Sequence, residues 1–129
     1  MHALLRRGDD VPHVEFRTFD GRTVSYRAIW QHRNLVLIAL PSGDPAADQY
    51  RSGVVTQLDD LRALDAECVI TCDAVVGLPA PGVLIADRWG EIVHVTAPPD
   101  VAGLPAPDEI VEWLEYTQRR CPECEGEAR

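Results

Sequence analysis

The first half of the chain shows a change of hydrophobic pattern that predicts two kinds of strand. Apolar and polar residues alternate from residue 13 to residue 29, and the alternation breaks at Asp20-Gly21, a dipeptide typical of tight turns. This pattern predicts a β-hairpin of two short strands. Leu35 to Leu40 is instead an uninterrupted apolar run, which is expected of a strand buried on both faces in the middle of a sheet.

A long helix is predicted directly after this apolar strand. Asp44 is a candidate N-cap, and Pro45 stands at the first helical position. Apolar residues then recur at steps of three and four, which predicts one buried face on a helix of roughly five turns. Gly53 is expected to weaken the middle of this helix without ending it. The residues of the apolar face are Ala47, Tyr50, Val54, Leu58, Leu61 and Leu64.

The second half predicts a strand, a second hairpin and a closing helix. Residues 67–71 form the short apolar strand, and the strands 83–87 and 91–95 flank a turn. Pro107 opens the last helix, which is expected to end near Arg120 and has acidic residues in its first turn, where the helix dipole is positive. Its buried stripe is expected at Ile110, Trp113, Leu114 and Thr117.

The order of elements is therefore hairpin, strand, helix, strand, hairpin, helix. A strand–helix–strand unit makes a right-handed parallel crossover, and the closing hairpin adds antiparallel strands. We expect an α/β fold with a mixed central sheet, helices on both faces and an N-terminal β-hairpin. Residues 1–120 are expected to form one domain, which is large enough to bury a core without disulfides or metal, and residues 121–129 form an acidic tail.

The composition excludes several classes of function. A net charge of −9 argues against binding to nucleic acid and against docking on anionic membranes. All 12 basic residues are arginine, so the chain has no lysine for a Schiff base or a phosphate-binding loop. The apolar run within residues 1–10 is too short for a signal peptide or an anchor, so we expect a cytoplasmic protein. We expect no cofactor.

The element order and several residues together resemble the thioredoxin fold, and within it the peroxiredoxin-like redoxins of the alkyl hydroperoxide reductase C and thiol-specific antioxidant family. The resemblance spans residues 8 to 119 and implies a small antioxidant or thiol–disulfide redox protein with protein thiols or disulfides as partners. It rests on Gly8, Pro12 and Phe16 before the Asp20-Gly21 turn, on the strand Leu35 to Leu40 with Pro41 after it, and on residues 83–95.

The residues that the family uses to reduce peroxide are missing. The family site reads Pro-x-x-x-Thr-x-x-Cys, with an arginine six residues before the aspartate of the late hairpin. Pro41 matches, but Pro45 stands at the threonine position, Asp48 at the cysteine position and Pro81 at the arginine position. Peroxide reduction needs a thiolate, and a carboxylate has no sulfenic acid step.

Two of these substituted positions have ordinary structural interpretations. Asp48 is expected to be an acid that the helix dipole stabilises in the first turn, and we expect no basic partner for it. Pro81 fits the habit of the thioredoxin fold, which places a cis-proline before the antiparallel strand.

The first two of the four cysteines lie on one predicted strand. Cys68 and Cys72 would stand roughly 13 Å apart on that strand, which is too far for a disulfide. Cys68 is expected to fill the core. Cys72 ends the strand beside Pro41 to Asp44, where it is either a candidate catalytic thiol or a half-buried inert one.

Cys121 and Cys124 form the only Cys-x-x-Cys motif, in the acidic tail. Three interpretations stay open: a redox dithiol, half of a zinc site shared across a homodimer, and an exposed tail without chemistry. The negative end of the last helix and the neighbouring glutamates raise thiol pKa values, which makes the motif a poor redox site. Because that helix carries the chain roughly 20 Å back across the sheet, we expect both cysteines to lie far from Cys72.

Histidines are scattered at positions 2, 13, 32 and 94, without the spacing of metal ligands, and His94 is expected to be an ordinary strand residue. Two hypotheses of function follow. The first is a redox protein without the usual peroxidatic cysteine, whose candidate catalytic residues are Cys72, Cys121 and Cys124. The alternative is a non-catalytic binding module on a thioredoxin-like scaffold. Thiol reactivity distinguishes them, because a module would have only sluggish thiols.

Overall fold

The computed structural model describes residues 4–73 and 75–119. Within these ranges, six strands and four α-helices follow one another, with one turn of 3-10 helix at Val101–Gly103. The strands are β1 (Glu15–Arg17), β2 (Thr23–Ser25), β3 (Asn34–Ala39), β4 (Ala66–Thr71), β5 (Gly82–Ala86) and β6 (Ile92–Thr96). The helices are α1 (Tyr26–Ile29), α2 (Pro45–Val55), α3 (Leu58–Ala63) and α4 (Pro107–Arg119).

The main sheet has the strand order β4-β3-β5-β6. β4 pairs with β3 in parallel, β5 pairs with β3 in the antiparallel sense, and β6 is antiparallel to β5. β6 therefore runs parallel to β3, so β3, β4 and β6 all end at one edge of the sheet, called here the carboxyl edge. The mixed α/β sheet predicted from the sequence is confirmed.

The first hairpin is also confirmed. β1 and β2 pair antiparallel, and the connection turns at Gly21, whose φ of 90° is a conformation that suits glycine. Phe16 is 3% exposed and packs beneath the sheet. The backbone N–H of Phe19 donates to the carbonyl of Ile70 at 2.8 Å. The hairpin thus attaches to β4, an outer strand of the main sheet.

The two faces of the sheet have different covers. The side chains of Val36 and Ile38 pack under α2, α3 and α4, which all lie on one face. The opposite face is covered by the hairpin, by the four-residue helix α1 and by the segment around Val11. Helices therefore lie on both faces, as expected, but the three longer ones share one face.

The predicted five-turn helix is wrong, because the structure interrupts it. α2 ends at Val55 and α3 begins at Leu58. The interruption follows a run of β-branched residues that ends at Thr56, whose hydroxyl donates to the carbonyl of Gly53 at 2.7 Å. Across the break the apolar face continues, since Ala47, Val54 and Leu61 are all buried and Tyr50, Leu58 and Leu64 pack against them.

Helix α4 crosses the sheet from the carboxyl edge to the opposite edge. Before its first turn, the carbonyl of Pro105 accepts a hydrogen bond from the Tyr50 hydroxyl at 2.6 Å. Near its end, Gln118 accepts a bond from the side-chain amide of Asn34, the first residue of β3, at 2.9 Å. The predicted direction of this helix is confirmed. Cys121 and Cys124 lie outside the described residues.

None of the helices within residues 4–73 and 75–119 is long and apolar enough to cross a membrane. The longest of them, α4, has 13 residues.

We predict that Asn34→Ala destabilises the fold more than Gln118→Ala does. The buried Asn34 amide donates to both Gln118 and the Leu64 carbonyl, the second at 3.1 Å, so its removal breaks two hydrogen bonds, whereas loss of the Gln118 side chain breaks one. The expected loss is about 1–3 kcal/mol for Asn34→Ala and about half of that for the exposed Gln118, measured by urea unfolding. Equal losses would contradict this role of Asn34.

Candidate functional site

The carboxyl edge of the sheet brings the ends of β3 and β4 together. The backbone N–H of Leu40 donates to the carbonyl of Thr71 at 2.9 Å, which pairs the two strand ends. Cys72 follows directly, and the hydroxyl of Thr71 accepts a bond from the N–H of Asp73 at 3.0 Å, which holds the turn. Cys72 therefore lies where the sequence analysis placed it, half-buried beside the chain that leads from Leu40 into Pro41.

Helix α2 follows the loop after β3 and begins with the cap that the sequence predicts. The Asp44 carboxylate accepts a bond from the N–H of Ala46 at 2.9 Å, and Pro45 is the first helical residue. Because the first backbone N–H groups of the helix point at this end, it favours a negative charge.

Asp48 lies in the first turn of α2, at the position that the resemblance gives to the reactive cysteine. Its carboxylate pairs with Arg51 at 3.2 Å, and the side chain is 61% exposed. The expectation that Asp48 has no basic partner is wrong, because one helical turn brings Arg51 to the same face. Arg51 also lies over the ring of Phe19, 4.7 Å from its centroid. The position is thus occupied by an ion-paired, solvated carboxylate, which has no peroxide chemistry.

Pro81 stands where the resemblance gives the family an arginine. The Ala80–Pro81 peptide bond is cis, and Pro81 is buried immediately before β5. A Cβ atom added at the next residue, Gly82, would collide with the carbonyl of Pro79 and the side chain of Leu78. The position therefore supplies packing and a tight backbone approach, but no positive charge.

Cys68 lies within β4 and packs against the core under α2, α3 and α4. Burial, and to a lesser extent the charge of Glu67, raise the pKa of its thiol to about 12, although Arg62 acts in the opposite direction. The thiol lines a cavity of about 270 Å³ between the hairpin and α3. It is a poor nucleophile at neutral pH, in agreement with the expectation that Cys68 fills the core.

The described histidines give no metal centre. No group of three or more histidine, cysteine or acidic side chains in residues 4–73 and 75–119 could hold a metal ion. His94 lies in β6, as expected, and its ring stacks on Trp113 with centroids 4.4 Å apart. Burial and the charge of Arg7 lower the pKa of His94, and Glu109 partly offsets them.

Sequence reasoning missed a groove beside α4, with a volume of about 430 Å³. Trp113 was expected in the buried stripe, but the structure leaves it half-buried, with part of its ring facing this groove. The signal was present in the sequence, since acidic and aromatic residues recur on one face of the helix at steps of three and four. The groove is lined by Arg7, Glu109, Glu112, Trp113 and Tyr116.

No protein-family model matches the sequence, and neither does any curated protein. Among solved structures, the AhpC of Mycobacterium tuberculosis has a TM-score of 0.68 and 15% identity, over 93% of this chain and 98% of that chain. The yeast mitochondrial 1-Cys peroxiredoxin has a TM-score of 0.72 and 13% identity, over 89% of this chain and 77% of that chain.

A thioredoxin-family thiol:disulfide interchange protein from Chlorobium tepidum is similar over 88% of this chain and 98% of that chain, with a TM-score of 0.65 and 9% identity. These likenesses show that the chain has a thioredoxin fold of the peroxiredoxin-like type. The fold expected from the element order is confirmed.

We predict that the variant with Cys72→Ser, Cys121→Ser and Cys124→Ser consumes hydrogen peroxide no faster than buffer does. The junction from Pro41 to Asp48 has no thiol, and the remaining Cys68 has a pKa of about 12, so almost no thiolate is present at neutral pH. A peroxide electrode gives the rate. Rapid consumption by this variant would show that the junction has a chemistry of its own.

The raised pKa of Cys68 predicts a pH-dependent stability. The folded pKa lies above the value of 9.0 for a free thiol, so the stabilisation is fully present below pH 9 and is lost as pH rises towards 12. Wild type should therefore lose stability more steeply than Cys68→Ala across this window, by up to about 1.4 kcal/mol per pH unit. Urea unfolding at several pH values with reductant gives both slopes, and parallel slopes would contradict the buried thiol.

Proposed function

We propose that this protein carries out thiol–disulfide exchange, with Cys72 as its nucleophile at the carboxyl edge of the sheet. The observation that supports this role is the bond from the Leu40 N–H to the Thr71 carbonyl, which fixes Cys72 beside the junction of β3 and α2. Carboxyl ends of parallel strands are the usual place for sites in open α/β sheets. Of the two described thiols, Cys68 has its pKa raised by burial and is a poor nucleophile.

The proposed reaction has two balanced steps. The Cys72 thiolate attacks one sulfur of a partner disulfide, a new sulfur–sulfur bond forms, and the other partner sulfur leaves as a thiolate that takes a proton from water. A second thiolate then attacks the partner's sulfur in the mixed disulfide, and Cys72 leaves as a thiolate. The protein gains no electrons overall, because the partner's original disulfide is replaced by a disulfide between the partner and the attacking thiol.

The charge around Cys72 favours a basic partner. Asp73 follows the thiol, and Asp44 caps the helix that begins after the adjoining strand β3, in a chain whose net charge is −9. A positively charged disulfide would approach this edge faster than a negative one, since complementary potentials raise association rates. We therefore propose a protein disulfide with basic residues around it as the partner.

The second step needs a thiol from outside the described residues. α4 carries the chain to the edge opposite Cys72, as the bond between Asn34 and Gln118 indicates. We propose that Cys121 and Cys124 form a local pair, or half of a zinc site in a homodimer, rather than resolve Cys72. In the cytoplasm, where we place the protein, small thiols would supply the second step.

The rival proposal is a non-catalytic binding module. It is favoured by the ion pair between Asp48 and Arg51, which occupies the position of the reactive cysteine with a stable surface contact. In that case Cys72 is an inert thiol, and the edge serves as a contact surface.

The two proposals differ in the reactivity of Cys72, which cystamine, a small disulfide with two positive charges, can probe. We predict that brief treatment of the native protein modifies Cys72 first, that a reductant reverses the modification, and that Cys72→Ser abolishes it. Cys68→Ala and the double variant Cys121→Ser, Cys124→Ser serve as matched controls that keep the Cys72 adduct. Intact-protein and peptide mass spectrometry follow the reaction.

An unfolded control in urea gives the intrinsic reactivity of each cysteine. If native Cys72 reacts more slowly than in the unfolded chain, the exchange function is wrong and the binding module stands. Oxidised glutathione, which is negatively charged, should react more slowly than cystamine, and an equal rate would remove the argument for a basic partner.

A further inference from the structure

The groove beside α4 is built from two segments that are held in place. The backbone N–H of Gly8 donates to the carbonyl of Ile92 at 2.8 Å, and the N–H of Ile92 donates to Asp9 at 2.9 Å. These bonds tie the N-terminal segment to the start of β6. Arg7, one residue before Gly8, is thereby held where it lines the groove together with Glu112 of α4.

The floor of the groove is aromatic. The imidazole of His94 stacks on the indole of Trp113 with an interplanar angle of 20°, so it covers one face of that indole. The ring of Tyr116 stands at 89° to the same indole, with centroids 5.9 Å apart, and Tyr116 is 38% exposed. Two large rings are thus fixed against each other, yet both present surface to the groove, which suits an apolar or cationic group.

The walls carry opposite charges that do not neutralise each other. Within the described residues, neither Arg7 nor Glu112 takes part in an ion pair. The Glu109 carboxylate is occupied differently, since it accepts a bond at 3.2 Å from the N–H of Ala106 and so caps the start of α4. Among the described side chains, one guanidinium and one carboxylate of the groove are therefore left without an ion-pair partner.

We infer that this groove binds a small zwitterion with an apolar side chain, either a free amino acid or a short peptide. The carboxylate of the ligand would meet the Arg7 guanidinium, its ammonium would meet the Glu112 carboxylate, and its apolar group would lie against Trp113 and Tyr116. The volume of about 430 Å³ fits a ligand of this size. A simple cation would leave the Arg7 guanidinium without a partner, and a simple anion would face repulsion from Glu109 and Glu112.

Four probes separate the contributions of the two charges. L-Phenylalanine and phenylalanylglycine carry both charges, phenethylamine lacks the carboxylate, and 3-phenylpropanoate lacks the ammonium. NMR titration of the full chain follows the indole N–H of Trp113, which the variant Trp113→Phe assigns. We predict that a zwitterion binds with a dissociation constant on the order of 1–10 mM, as expected for a small ligand in an open groove. Each single-charge analogue should bind at least about threefold more weakly.

Matched charge variants test the contacts. Arg7→Gln and Glu112→Gln should each weaken binding of the zwitterion about threefold to tenfold, because each removes one exposed charge contact. Arg6→Gln and Glu115→Gln remove the same charges from neighbouring positions that do not line the groove, and should leave binding unchanged. Far-UV circular dichroism confirms that all four variants are folded.

The two zwitterions identify the source of the ligand. Tighter binding of L-phenylalanine indicates a free amino acid, and tighter binding of the dipeptide indicates a peptide. The inference is overturned if neither zwitterion shifts the Trp113 signal, if a single-charge analogue binds as tightly, or if the control variants weaken binding equally. None of these readouts involves a cysteine, so the result is independent of thiol exchange at Cys72.

Discussion

The complete burial of β3 is the constraint on which the rest of the structure depends. All its residues are buried, so its backbone N–H and C=O groups must be paired by strands on both sides. β4 and β5 supply these partners, and the alternating side chains are covered on one face by α2–α4 and on the other by the hairpin. A slip of one residue would turn every side chain of β3 to the wrong face, so the register is strongly specified. That register places Cys72 at the carboxyl edge.

The strength of the local pattern decided which elements the sequence predicts. β3 was predictable because its unbroken apolar run is too short for a buried helix, and α4 was predictable because its apolar residues follow a regular helical period. The break between α2 and α3 was not, since the apolar period runs through Thr56 and Gln57 although the backbone leaves the helix there. α1 has four residues, too few to show a period. Trp113 lies at the border of its apolar stripe, where a pattern does not decide between core and groove.

The start of α2 accommodates a carboxylate for a general electrostatic reason. The N-terminal end of a helix stabilises any anion in its first turn, whether thiolate or carboxylate. The helix dipole stabilises the Asp48 carboxylate, and Arg51 neutralises the charge of that carboxylate in a partly exposed ion pair. The position of Asp48 was readable from sequence, and its partner was missed although it lies at ordinary helical spacing. The site of Cys72 was predictable because strand ends follow from the apolar run, but its reactivity depends on geometry that no pattern encodes.

The carboxyl edge and the groove beside α4 are physically separate regions of one rigid frame. Cys72 follows β4 and the groove lies beside β6, the two outer strands of the sheet, so three strand spacings of about 4.8 Å separate them. A ligand in the groove therefore cannot contact the thiol, and any influence must pass through packed side chains. α4 itself is fixed at both ends, by Tyr50 at Pro105 and by Asn34 at Gln118. Because the helix cannot shift freely, its groove is formed before any ligand arrives, which lowers the entropic cost of binding.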